Sequence, residues 1–169
     1  PNAVIIESIE GPETTFIDVP AGQHGISLGQ APSGTRISGF TVRNGSNELG
    51  SGVYIFDSQA TVSDVVITGH NCQQSGDGND CVGVGLAVSG GAPVLEDIVI
   101  IDNTARVDNI VSGTGAAFNN TAAIVTRMTV SNNLAEGTSN FLPWKRIEAA
   151  GVSVTGSSNL TLNNVLITN

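Results

Sequence analysis

The sequence predicts an all-β solenoid, a chain wound into successive parallel turns. Three observations predict it: a restated phrase, a two-residue period inside each restatement, and no sustained helical period. The phrase is "GSGVYIFDSQATVSDVVITGHN" over residues 50–71, a glycine pair, two short apolar runs and a polar ending. It returns as "GLAVSGGAPVLEDIVIIDN" from Gly85, "GAAFNNTAAIVTRMTVSNN" from Gly115 and "GVSVTGSSNLTLNNVLITN" from Gly151. A looser copy, "GISLGQAPSGTRISGFTVRN", runs from Gly25. Copies start at 25, 52, 85, 115 and 151, giving spacings of 27, 33, 30 and 36 residues.

Each copy opens with a short strand whose alternate residues face one way: Val53/Ile55, Leu86/Val88, Ala116/Phe118 and Val152/Val154. A second run follows, in which Val62, Val65 and Ile67 correspond to Val94 or Leu95, Ile98 and Ile100. These runs are β-branched and bounded by Gly, Ser and Asn, the pattern of short strands between turns. Only "WKRIEAA" (144–150) offers a helical turn or two. An antiparallel sandwich has no reason to restate one phrase at corresponding positions. In a wound chain, equivalent residues stack about 4.8 Å apart, so Val53, Leu86, Ala116 and Val152 form one interior column. Each turn then buries its apolar side chains against the next. Parallel crossovers are right-handed. The predicted class is therefore a right-handed parallel β-helix of about six coils, one domain over residues 1–169, with register loosest over 1–40. The copies end in Asn44, Asn71, Asn103, Asn132/Asn133 and Asn169. Asn tolerates left-handed backbone and can bond its stacked equivalents, so turn structure alone explains the column.

Against 6 Lys+Arg stand 15 Asp+Glu, a formal charge of −9, which repels phosphate backbones and argues against nucleic acid. Charged residues are only 12% of the chain, so Ser, Thr, Asn and Gly must supply the polar surface. No apolar run reaches the roughly 18–20 residues that span a bilayer, so membrane insertion is not expected. No signal peptide is visible, and Pro1 at the start fits a processed terminus or a piece of a longer chain. Cys72 and Cys81 bracket "QQSGDGND". A disulfide across this loop in an oxidising compartment and a pair of free thiols both remain open.

"VIIESIEGPETTFID", "ISGFTVRNG" and "GSGVYI…VSDVVITGHN" resemble the right-handed parallel β-helix repeats of pectin-lyase-like proteins. The resemblance is nearest to the glycine-punctuated repeats of large bacterial surface and secreted proteins. It implies the fold, and an extracellular, periplasmic or cell-surface location. It leaves function open among lyases, glycosidases, epimerases, tail spikes, adhesins and exported proteins. Such helices carry caps and further coils. Neither end here shows one, so the expected unit is excised or minimal, with open edges that invite self-association.

The insertions "GSNELGS" (45–51), "CQQSGDGNDCVGV" (72–84), "TARVDNIVSGT" (104–114) and "LAEGTSNFLPWKRIEAA" (134–150) leave from one corner and should project side by side along one flank. In the last, Trp144 with Phe141, Lys145 and Arg146 suits a sugar ring bearing an acidic group, or else a hydrophobic cover over the flank. Asp77, Asn79 and Asp80 are hard oxygen ligands for Ca2+, or turn formers in a glycine-rich loop. No other cofactor is expected. Asp64, Asp97 and Arg127 fall at one position of successive copies, with Asn164 following. Carboxylates at that spacing would raise one another's pKa and divide acid and base roles, beside an Arg for an anionic sugar; turn geometry explains the same residues. His24 and His70 are separate and read as surface or turn positions. "NGS" (Asn44), "NNT" (Asn119) and "NLT" (Asn159) match the glycosylation sequon.

The leading functional expectation is a non-catalytic module of an exported or surface protein that binds a polysaccharide or cell-surface glycan along its flank. The enzymatic alternative is a polysaccharide lyase or hydrolase acting on an acidic glycan through Asp64, Asp97 and Arg127. A structural or self-assembling spacer is the third.

Overall fold

The computed structural model describes residues 2–74, 80–107, 110–137 and 146–168. The chain is all-β, and its named strands pair in parallel throughout. The first segment gives β1 (Ile5–Glu7) and β2 (Phe16–Asp18), and the Gly25 copy gives β3 (Ile26–Gly29) and β4 (Arg36–Arg43). From Gly52 come β5 (Val53–Phe56), β6 (Thr61–Thr68), β7 (Asn71–Gln74) and β8 (Cys81–Val82). The Gly85 copy repeats this order as β9 (Leu86–Ser89), β10 (Val94–Ile101), β11 (Thr104–Val107) and β12 (Ile110–Ser112). Next come β13 (Ala116–Asn119), β14 (Ile124–Ser131), β15 (Leu134–Gly137) and β16 (Arg146–Ala149). The last copy supplies β17 (Val152–Thr155), β18 (Thr161–Asn163) and β19 (Leu166–Thr168).

These strands sort into four sheets. A long-strand sheet runs β1-β4-β6-β10-β14-β18, with β2 beside β4 and β19 beside β14. A five-stranded sheet runs β3-β5-β9-β13-β17. Two three-stranded sheets, β7-β11-β15 and β8-β12-β16, are built from the insertions. The insertions are therefore not loose loops over their described parts. They stack strand on strand around a small core of Cys72, Cys81, Val84, Ala105, Val107 and Val111. The helical turn expected from "WKRIEAA" is replaced by β16 over its described part, since Arg146–Ala149 pairs with β12.

The main core follows the two-residue period. Val53, Ile55, Leu86, Val88, Ala116 and Phe118 are buried from the five-stranded sheet. They meet Val62, Val65, Ile67, Leu95, Ile98 and Ile100 from the long-strand sheet. Leu95, not Val94, is the partner of Val62. On the terminal strands the same apolar types lie open, with Ile5 67% exposed and Leu166 55%.

Two backbone devices hold the register. The corners ahead of β5, β9 and β13 in the five-stranded sheet are Gly-x-Gly. Gly50, Gly83 and Gly113 have φ of 54°, 55° and 63°, a left-handed region that favours glycine. At the second glycine, a Cβ on Gly85 would stand 2.7 Å from the carbonyl oxygen of Gly115, and one on Gly115 equally close to that of Gly151. The Gly151 copy carries Ala149, and the Gly25 copy Gln23, where these three have the first glycine, and the pairing of β16 with β12 shifts register at Ala149.

The second device is the buried ladder that closes the long-strand sheet. Asn103 donates its amide to the Ile67 carbonyl at 3.3 Å and accepts from the His70 backbone N–H at 3.0 Å. Asn133 repeats this with the Ile100 carbonyl (3.0 Å) and the Asn103 N–H (3.1 Å). His70, expected at the surface or in a turn, is buried and extends the ladder; Asn71, the residue expected in it, opens β7 instead. The Gly45 N–H can only donate, so Nδ1 of His70 accepts it at 3.0 Å, and Nε2–H donates to the Val42 carbonyl at 3.0 Å.

Candidate functional site

A groove of about 370 Å³ opens where the five-stranded sheet meets the β8-β12-β16 sheet. Its floor is the outward row Tyr54, Ala87, Ala117 together with Ser89, Asn119 and Thr155, held in register by parallel pairing; Phe56, in register with Ser89, lies outside the lining. Alternation explains the row: Val53, Ile55 and their equivalents point into the core, so the residues between them point out. Two of these positions carry aromatic rings in β5, but the next two copies carry Ala, Ser and Asn. The floor therefore steps down from an aromatic shelf to a flat strip.

The shelf is stiffened from behind. His24 stacks on Tyr54 with ring centroids 5.0 Å apart, and its Nδ1–H donates to the Gly50 carbonyl at 2.9 Å. Tyr54 and Phe56 lie 6.4 Å apart at 29°. The facing wall carries Leu49, Val82 and Ile110 with the carboxylates of Asp80 and Glu148. Asp80 Oδ1 accepts the Ile110 N–H at 3.3 Å. Ser112 donates its one hydroxyl proton to Glu148 Oε2 at 3.0 Å and so accepts from Ser153, 2.8 Å away.

The other sequence candidates lie elsewhere. Asp64, Asp97 and Arg127 do fall in one row on the long-strand sheet, between the register pairs Glu96↔Ser63 and Ile98↔Val65 and their β14 equivalents. All three, with Gly39 and Asn164, have positive φ between 53° and 82°, a left-handed kink in mid-strand. Arg127 grips Asp97 through Nε at 2.6 Å and Nη2 at 2.8 Å. That hydrogen bond, joined by the Arg127 charge, lowers the Asp97 pKa against a smaller opposing desolvation. Neighbouring carboxylates were expected to raise it. Both groups stand about half exposed on an open sheet face.

Asp77 and Asn79 of the calcium candidate, and Phe141, Trp144 and Lys145 of the sugar-stacking candidate, lie outside the described residues. Asp80 stands in the groove wall, and Arg146 opens β16. Among the described residues, no group of three or more His, Cys, Asp or Glu gathers as a metal site. Cys72 and Cys81 are joined in a disulfide, Cα–Cα 6.1 Å, which ties β7 to β8 and fits an oxidising environment. Sequence reasoning missed the groove because its wall and floor come from segments far apart in the chain. The one legible signal was the change from Tyr54 and Phe56 to Ala87 and Ser89 at matching positions. No protein-family model, curated protein or solved structure matches the chain.

Proposed function

We propose that the chain is a non-catalytic module of the right-handed parallel β-helix class, wound in about six coils, from an exported or surface protein that binds carbohydrate along one flank. The observation that carries this reading is the groove: Tyr54 stacked on His24, a strip of small residues on paired strands, and a wall that carries hydrogen-bonding groups. Supporting the winding are the parallel register and the passage of the Gly52, Gly85 and Gly115 copies through the same four sheets in the same order. The likeness to pectin-lyase-like repeats rests on the repeated phrases, and export agrees with the disulfide. Asp97 serves structure in this reading, tied to Arg127 at a kinked position. A glycan array tests it: the protein labels a subset of glycans, and Tyr54→Ala removes the signal. An array left blank by the folded parent protein contradicts it.

A second reading, end-to-end self-association, is favoured by the open apolar side chains of Ile5 and Ile6 on β1 and Leu166 and Ile167 on β19. Sedimentation velocity of the parent and of Ile6→Lys with Ile167→Lys separates the two. Concentration-dependent growth that the lysines abolish supports assembly.

A further inference from the structure

We infer that Asn44–Gly45 is a self-modification site held dormant by His70: Asn44 keeps its amide while this corner is closed, and converts to aspartate or isoaspartate once it opens. It is the one Asn–Gly step in the sequence. The only co-reactant is water. The Gly45 nitrogen attacks Asn44 Cγ, the Cγ–Nδ2 bond breaks, and ammonia leaves with the proton that Gly45 N gives up. Water then opens the cyclic imide at either carbonyl, leaving an α-linked or a β-linked aspartate. Glycine at the second position speeds the attack, because no side chain shields its nitrogen.

The fold requires both residues. Asn44 sits at φ 67°, a left-handed conformation that Asn tolerates. A Cβ on Gly45 would stand 2.8 Å from His70 Nδ1 and 3.0 Å from Val19 Cγ1, so glycine alone fits. The same corner blocks the reaction twice. Ring closure needs the Gly45 nitrogen beside Asn44 Cβ, and left-handed backbone turns it to the opposite side of the Cα–C bond. The Gly45 N–H is also engaged, donating to the buried His70 Nδ1 at 3.0 Å. Asn44 itself is exposed, and its Nδ2–H donates to Asp18 Oδ1 at 2.9 Å.

Conversion works against closing the corner again. An ionised aspartate at 44 has no proton for Asp18 and sets a second carboxylate against it, where Arg43 already bonds both Asp18 oxygens. The β-linked form also lengthens the backbone by one methylene just ahead of Gly45, which moves that N–H off His70. Asn132 is an internal comparison. It occupies the equivalent corner two copies after the Gly52 copy's Gly69, at φ 53°, but Asn133 follows it in place of glycine.

Peptide mass spectrometry with isoaspartate detection tests the inference on the whole chain, incubated in one neutral buffer with and without unfolding urea. The folded chain reacts only through its opened fraction, so Asn44 is expected to convert at least about tenfold slower folded than in urea. In urea it is expected to outpace Asn132. His70→Asn, whose amide oxygen replaces Nδ1, is expected to keep the parent's slow rate. His70→Ala, confirmed folded by its thermal melt, is expected to raise that rate about tenfold. Hydrogen exchange on the folded parent is expected to show the Gly45 N–H protected. Conversion of Asn44 as fast in the folded parent as in urea overturns the lock, and Asn132 converting faster than Asn44 in urea overturns the site. A folded His70→Ala that converts no faster than the parent overturns the part given to His70. So does an unprotected Gly45 N–H in the parent, whether or not His70→Ala folds.

Discussion

At His70 an imidazole stands in a ladder built otherwise from amides, and both hydrogen bonds survive the exchange. Nδ1 takes the place of the amide oxygen and Nε2–H that of the amide nitrogen. Burial lowers the His70 pKa to about 4, outweighing the hydrogen bonds to Val42 and Gly45. A proton on Nδ1 would also face the Gly45 N–H. The unfolded chain binds this proton near 6.5, the folded chain only near 4, so stability is full above about 6.5 and falls as pH drops towards 4. The loss over that window is about 3 kcal/mol. His70→Asn is expected to keep the neutral-pH stability within about 1 kcal/mol and to flatten the acid slope. His70→Ala, which strands the Gly45 N–H and the Val42 carbonyl, is expected to cost more than about 2 kcal/mol. Urea titrations at pH 7 and pH 4.5 measure both. At Arg127 the left-handed backbone is unusual for so long a side chain. Arg127→Gly is expected to melt no lower than the parent in a thermal scan and to leave glycan-array labelling unchanged; a lower melt or lost labelling assigns the ion pair a larger part.

Among the elements, the main strands were legible because β-branched residues alternate over runs of three to five positions and the glycines mark each entry; that two such runs join across a left-handed residue into the eight-residue β4, β6, β10 and β14 was not. The steric reason for those glycines needed coordinates: the second of each pair faces the carbonyl of the next copy. Gly85→Ala places a methyl 2.7 Å from the Gly115 oxygen and from Ile100 Cγ2, and is expected to cost at least about 1–3 kcal/mol in a urea titration. Gly29→Ala, with nothing within 4 Å of the new methyl, is the matched control and is expected to be near neutral. The insertion strands were illegible. Thr104–Val107 and Leu134–Gly137 are four residues each, mix Ala, Arg and Glu, and gain their shape only from stacking, the first on β7 and the second on the first. The ladder was legible as a column but misplaced by one residue at Gly45/Asn44, where Asn44 is exposed and bonded to Asp18, and at His70/Asn71, because sequence shows an Asn and not which side chain turns inward; Asn169 lies outside the described residues. The disulfide closes a short loop between β7 and β8. Replacing both cysteines by serine is expected to cost about 2–3 kcal/mol by chain entropy, with the insertion sheets losing hydrogen-exchange protection before the long-strand sheet.

Over the whole molecule, repetition does what a large aromatic core does elsewhere: small β-branched side chains ride over their own kind, copy after copy. The groove is a by-product of the same repetition, since one aromatic copy followed by two small ones makes a step. The sites sought from composition, the Asp64–Asp97–Arg127 row above all, were legible as positions but not as chemistry. Whether a stacked carboxylate is free or tied to an Arg depends on side-chain placement, and sequence spacing does not carry that. The claim beneath all of this is that equivalent residues lie above one another on parallel strands. Spin labels at Arg36 and Thr161, and separately at Arg43 and Thr168, test it by double electron–electron resonance, because each pair spans four strand spacings in the observed register. The account predicts about 19 Å between backbone positions for both pairs, from about 4.8 Å per strand. Two clearly unequal distances, or both stretched by the length of a strand, would contradict it.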